Sequence, residues 1–120
     1  MKVLHLDTNH PLLISKLNGL GFENIENYTA SKSEIEAIIS NYDGIVIRSR
    51  FKIDKTFIDA AQNLKFIARV GAGLESIDID YAQHKGIHLI SAPEGNRNAV
   101  AEQALGMLLA MFNNLKKADL

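Results

Sequence analysis

Ile45-Val46-Ile47 constrains this chain more than any other stretch. The run is continuous and β-branched, with no polar residue alternating through it, so it reads as a strand buried on both faces. Such strands belong to parallel sheets covered by helices on each side, and the flanking sequence supplies helices in the right places. The strand also delivers Arg48 to the edge of whatever sheet it joins.

Taken from the start, Val3 to Leu6 is a short strand ending in the turn chemistry of Asp7-Thr8-Asn9. His10-Pro11 then opens a helix carrying Leu12, Leu13, Ile14 and Leu17, and Gly19 and Gly21 stop it. Phe22 to Tyr28 alternates imperfectly and is expected as an edge strand. Ser31-Lys32-Ser33-Glu34 is a capping box before Ile35, Ile38 and Ile39, a helix that Asp43-Gly44 is expected to end. Asp54 reads as the cap of a third helix, with Ile53 and Ile58 as its staple. Lys65 to Val70 is the fourth strand, Asp78 caps a short helix from Ile79 to His84, and Lys85-Gly86 terminates it. Ile87 to Ile90 is the fifth strand, broken by Ala92-Pro93, and a long helix is expected from about Asn98 to Leu115. That helix is apolar over more than one stripe; deep burial in its own small domain would account for this, but a second domain or subunit covering its far side is the expectation. Five strands alternating with helices predict an α/β, doubly wound parallel five-stranded sheet in flavodoxin-like order, with a long C-terminal hinge helix.

The 120 residues suit one core. With 47% hydrophobic and 22% charged residues the chain is not expected to be disordered, and a net charge of -1 offers no field for nucleic acid. Cysteine is absent, which excludes thiolate metal sites and thiol nucleophiles. Charge interrupts the N-terminal apolar run too soon for a signal peptide, and no run reaches membrane-spanning length, so a cytoplasmic protein that binds neither membrane nor nucleic acid is expected.

The chemistry gathers where strands end. Val70-Gly71-Ala72-Gly73 turns out of the fourth strand with bared amides that suit a carboxylate, although a tight turn without a ligand accounts for the same residues. The turn is a poor dinucleotide fingerprint: Ser76 stands where the third glycine belongs, and Ser91-Ala92 where an acidic residue about twenty positions on should be. Arg48 and Arg50, two apart, point the same way if strand geometry continues, and their guanidinium forks suit a carboxylate or phosphate; a solvated or salt-bridged arginine is the plain alternative. His5, His10, His84 and His88 show no metal-ligand spacing, and His5 and His88 read as core or edge residues of strands. Asp7 ends the first strand as a phosphoacceptor would, but the matching place after the third strand is Arg48 rather than an acid. No serine has a nucleophile setting, and no metal is expected.

Taken together, Ile47-Arg48-Ser49-Arg50, the stretch Leu64 to Asp78, Gly86-Ile87, Ala92-Pro93 and Asn96-Arg97-Asn98-Ala99-Val100-Ala101-Glu102 resemble the D-isomer-specific 2-hydroxyacid dehydrogenases. The likeness runs over essentially the whole chain in one order and spacing. It implies an NAD-dependent oxidoreductase acting on the CH-OH group of D-2-hydroxy acids. Residues 1–97 would be an incomplete substrate-binding domain and 98–120 a hinge helix leading to an absent nucleotide-binding domain. By position, Arg48, Ser49 and Arg50 would meet the substrate's phosphate or acidic end. The amides of Ala72 and Gly73, beside Val70 and Gly71, would hold the carboxylate, and Asn96 and Glu102 would lie near the cofactor. Glu75-Ser76 stands where the family has Asp-Asn, and Phe51 where it has Thr.

The resemblance also implies that the family's catalytic arginine, glutamate and histidine, and its nucleotide fingerprint, fall beyond Leu120. No catalytic residue is therefore expected within these residues, no activity from them alone, and no NAD bound to them alone. The paired arginines favour a doubly acidic substrate such as phosphoglycerate, while the resemblance implies a place in serine biosynthesis and, from the family's dimers, a homodimer of the full-length chain. The other reading is a stand-alone flavodoxin-like module that binds a small anion or a partner protein.

Overall fold

Capping chemistry sets most of the helices. In the computed structural model, which describes residues 1–8, 11–70, 76–92 and 106, helix α2 spans Lys32–Ile38 behind a complete capping box. The Ser31 hydroxyl accepts from the Glu34 amide at 3.2 Å while the Glu34 carboxylate accepts from the Ser31 amide at 3.2 Å. The Ser31 amide, and the Ser31 hydroxyl after it, lower the Glu34 pKa below its ordinary value. Asp54 caps α3 (Lys55–Ala60) through the Phe57 amide, and Asp78 caps α4 (Ile79–His84) through the Tyr81 amide. Helix α1 spans Pro11–Gly19. Gly21 and Gly86, at φ 89 and 78, take the left-handed turns that follow α1 and α4.

The strands are β1 (Lys2–His5), β2 (Glu23–Glu26), β3 (Gly44–Ile47), β4 (Phe66–Val70) and β5 (His88–Ala92). They form one all-parallel sheet in the order β2-β1-β3-β4-β5, the flavodoxin-like order expected, with β2 at an edge. Some boundaries move. Helix α2 stops at Ile38, a 3-10 turn follows over Ile39–Asn41, and Gly44 opens β3 instead of ending a helix. Strand β5 runs on through Ser91 and Ala92, two residues past the expected end. The long helix from about Asn98 to Leu115 lies outside the described residues except at Gly106, which is helical and exposed.

Alternation along the strands divides the buried side chains between two faces. Leu4, Ile45, Ile47 and Ile67 join Ile35 and Ile39 of α2 and its turn, Phe57 and Ile58 of α3, and Ala82 of α4 in one cluster. Ile53 and Ile58 both belong to it, as the staple reading requires. Val3, His5, Val46, Phe66, Ala68 and Ile90 have the opposite parity and are buried outside that cluster, as is Leu17 of α1. All four residues of β3 are buried, the pattern expected of a doubly covered central strand.

Gly44 is dictated by its neighbour. In the β3–β4 register it stands opposite Phe66, which is wholly buried, and a Cβ on residue 44 would lie 2.1 Å from the ring. The ring occupies the volume that any larger residue would need.

At this amino edge of the sheet Asp43 fastens three segments. Its carboxylate accepts from the Lys2 amide at 2.8 Å and pairs with the Lys65 ammonium at 2.9 Å, while its amide donates to the Lys2 carbonyl at 2.8 Å. Burial alone would raise its pKa; the Lys2 amide, Lys65 and the N-terminal ammonium outweigh it and hold the carboxyl below the ordinary range. His5, at the other end of β1, is buried, with Nε2 2.8 Å from the Asn24 Oδ1. Desolvation, opposed by that bond and by the Glu26 charge, lowers its pKa, so the ring is neutral at pH 7.

Candidate functional site

Where β3 ends, the chain stops being extended. Asp7, one residue beyond Leu6, accepts three consecutive main-chain amides on one carboxylate oxygen: Arg48 at 2.7 Å, Ser49 at 3.2 Å and Arg50 at 3.2 Å. Three amides converging on one point form an anion site, and here the chain's own carboxylate fills it. The loop is thereby pinned to the end of β1, whose register against β3 continues through the Leu6 amide bonded to the Val46 carbonyl at 2.9 Å.

This turn alters the expected geometry of the arginine pair. Because the strand ends at Ile47, the alternation that would align the two side chains does not reach them. The half-buried Arg50 donates from Nη1 to the carbonyls of Leu6 at 2.9 Å and Asn27, and from Nη2 to the carbonyl of Ala30. Its guanidinium also lies over the Phe51 ring, 4.6 Å from the centroid. Arg50 thus ties the ends of β1 and β2 and the lead into α2 to the β3 loop. Arg48 is exposed, with Nη1 3.5 Å from the Thr8 carbonyl, and Ser49 is exposed beside it.

The next loop is held against this one. Ile53 and Ile77 form an isolated parallel bridge, the Ile53 amide donating to the Ser76 carbonyl at 2.8 Å and the Asp78 amide to the Ile53 carbonyl at 2.9 Å. Val70, paired with Ala92, is the last residue of β4. Gly71, Ala72 and Gly73, the expected carboxylate amides, and Asn96 and Glu102, the expected cofactor neighbours, lie outside the described residues. What the structure brings together is therefore the Arg48–Arg50 loop and the two ends of the β4–α4 connection, at the carboxyl ends of the strands, where open α/β sheets place ligands.

The same geometry tests whether these residues fit a dinucleotide. A pyrophosphate site needs a helix N-terminus with amides to offer. The Tyr81 amide of α4 already donates to the Asp78 carboxylate at 3.2 Å, and the Phe57 amide of α3 to Asp54 at 3.0 Å. Asp54 also pairs with Lys32 at 2.7 Å, and these contacts lower its pKa. A phosphate at either helix would face a carboxylate, so neither of these two helix ends fits a pyrophosphate. Among them no group of three potential metal ligands occurs, and no helix is long and apolar enough to cross a membrane.

Asp7 is the residue that sequence reasoning undervalued. Its place after β1 was visible, but its partners lie 41 to 43 positions away, and no local pattern encodes them.

The chain belongs to the D-isomer specific 2-hydroxyacid dehydrogenases, whose catalytic-domain model matches residues 4–114. It is 36% identical over 119 residues to the D-3-phosphoglycerate dehydrogenase of Archaeoglobus fulgidus, covering 99% of this chain and 23% of that relative. Over 87 residues it is 40% identical to the hydroxypyruvate reductase of Thermotoga maritima, covering 72% of this chain and 28% of the relative. Among solved structures, the 3-phosphoglycerate dehydrogenase of Entamoeba histolytica with NAD+ bound superposes with a TM-score of 0.70 at 30% identity, over 90% of this chain and 38% of that one. The chain thus spans about a quarter of the length of these curated relatives.

Proposed function

We propose that these residues form the substrate side of an NAD-dependent D-3-phosphoglycerate dehydrogenase whose nucleotide-binding domain follows in a longer, cytoplasmic, homodimeric chain. Residues 1–97 are then the substrate-binding domain and 98–120 the helix leading to the second domain. The observation that carries this reading is the arginine-bearing loop fixed at the carboxyl edge of the sheet, in a chain whose relatives include several D-3-phosphoglycerate dehydrogenases.

NAD, if held by the following domain, would supply hydride-transfer chemistry at the carbon that bears the substrate hydroxyl. These residues bind and orient. Arg48, with Ser49, receives the phosphate at the exposed rim of the β3 loop; Val70, Gly71, Ala72 and Gly73 receive the carboxylate; Arg50 keeps the loop in place from behind. Asn96 and Glu102 line the cofactor side. Holding both acidic ends fixes the carbon between them, a contribution of orientation rather than of bond chemistry. The acid-base and electrostatic groups of the reaction belong to the following domain.

The hydroxypyruvate reductase relative favours a second reading, in which the substrate lacks the phosphate. Kinetics of the full-length protein with NAD separate the two. A higher kcat/KM for 3-phosphoglycerate than for glycerate is expected, and Arg48→Ala should lower the phosphorylated value by about 10- to 100-fold, the worth of one charged hydrogen bond. Equal values for the two substrates would overturn the phosphate assignment.

A further inference from the structure

We propose that Asp7 is a positioning residue for substrate phosphate, acting through the main chain of residues 48–50. This rests on the reading of the β3 loop as the phosphate site. A carboxylate beside an anion-binding arginine is at first sight unfavourable, because like charges repel. The geometry gives it a different task. One oxygen of Asp7 takes the amides of Arg48, Ser49 and Arg50, at 2.7, 3.2 and 3.2 Å, so none of the three amides points at an incoming anion. At this loop the substrate phosphate must then be met by side chains. The same three bonds fix where the Arg48 side chain leaves the loop, while the third residue, Arg50, is turned onto the carbonyls of Leu6, Asn27 and Ala30. Asp7 thus separates the two arginines that flank Ser49 into one that faces the rim and one that secures the loop. Asp7 itself follows β1, which has paired strands on both sides, so the anchor point is rigid.

The test uses the full-length enzyme with NAD and compares 3-phosphoglycerate with glycerate in wild type, Asp7→Asn, Asp7→Glu, Arg48→Ala and the Asp7→Asn/Arg48→Ala double variant. Thermal melting and NAD affinity serve as folding controls. Asp7→Asn is isosteric but a weaker acceptor for three amides, and is expected to raise KM for 3-phosphoglycerate about tenfold while kcat and the glycerate kinetics stay within about twofold. Asp7→Glu keeps the charge but displaces the acceptor by a methylene, and is expected to behave like Asp7→Asn. In the Arg48→Ala background Asp7→Asn should add nothing, because its effect travels through that side chain. A fall in KM in Asp7→Asn would show mere charge repulsion and overturn the proposal. So would wild-type behaviour of Asp7→Glu, an equal rise for both substrates, or additivity with Arg48→Ala. A wild-type enzyme that does not distinguish the two substrates sinks the phosphate reading itself, whereas discrimination that survives both Asp7 variants sinks only the role of Asp7.

Discussion

The two edges of the sheet each carry one aspartate that gathers main-chain amides, and they use it differently. At the amino edge, Asp43 joins the starts of β1, β3 and β4, and a lysine side chain closes the arrangement at 2.9 Å. At the carboxyl edge, Asp7 spends its oxygen on three successive amides of one loop, and the side chains of that loop carry the charge to the rim. The first arrangement holds strands in register. The second fixes the backbone of a loop that, on the proposed function, presents its side chains to the substrate. The same residue type therefore gives stability at one end and presentation at the other, according to what it is paired with.

If this contrast is right, substitutions at the amino edge should move stability and leave substrate kinetics alone. Gly44→Ala is the severest case. Its new Cβ must displace the Phe66 ring, and a loss of about 3 kcal/mol in urea unfolding is expected, partly recovered in the Gly44→Ala/Phe66→Leu double variant. An unchanged urea midpoint would mean that the strands can part at little cost.

Arg50→Ala sharpens the contrast from the other edge. Its guanidinium bonds three carbonyls, so its loss should cost about 2 kcal/mol, and unlike the amino-edge variants it should also raise KM. Arg50→Lys should restore little, since a single ammonium lacks the fork that reaches several carbonyls at once. Normal KM in Arg50→Ala would detach the arginine from the site.

The smallest effect is expected at Asp43. Its carboxyl titrates below the ordinary value of 3.8, so the folded state binds the proton less readily than the unfolded one. The contribution is present above about pH 3.8 and is lost as pH falls through the folded value. Asp43→Asn should cost about 1 kcal/mol at pH 7, kept small because the Lys65 partner is half-exposed, and nothing at the acid end of a pH series of urea melts. A penalty independent of pH would mean that the hydrogen bonds matter and the charge does not.

Much of the fold was legible because its signals are local. The Ser31/Glu34 box, the Asp54 and Asp78 caps and the β-branched Ile45–Ile47 run each act within a few residues, and strands alternating with helices leave few topologies to choose from. Gly44 misled for a physical reason: a glycine after a helix looks like a stop, and only the cross-strand approach of Phe66 reveals its role. The site was legible as residue types and not as geometry. Arg48 and Arg50 are visible in sequence, but their divergence depends on Asp7, Leu6, Asn27 and Ala30, none of them a sequence neighbour of the loop.

The capture of the β3 loop by its amides has a consequence for how such a site can change over generations. No non-glycine residue among those described takes a positive φ, so residues 48 to 50 meet no demand for glycine. The turn is addressed through atoms that every residue except proline possesses. The side chains at 48 and 49 can therefore be exchanged with little conformational consequence, and on the proposed function a new substrate preference could be acquired there by substitution alone, on an inherited backbone.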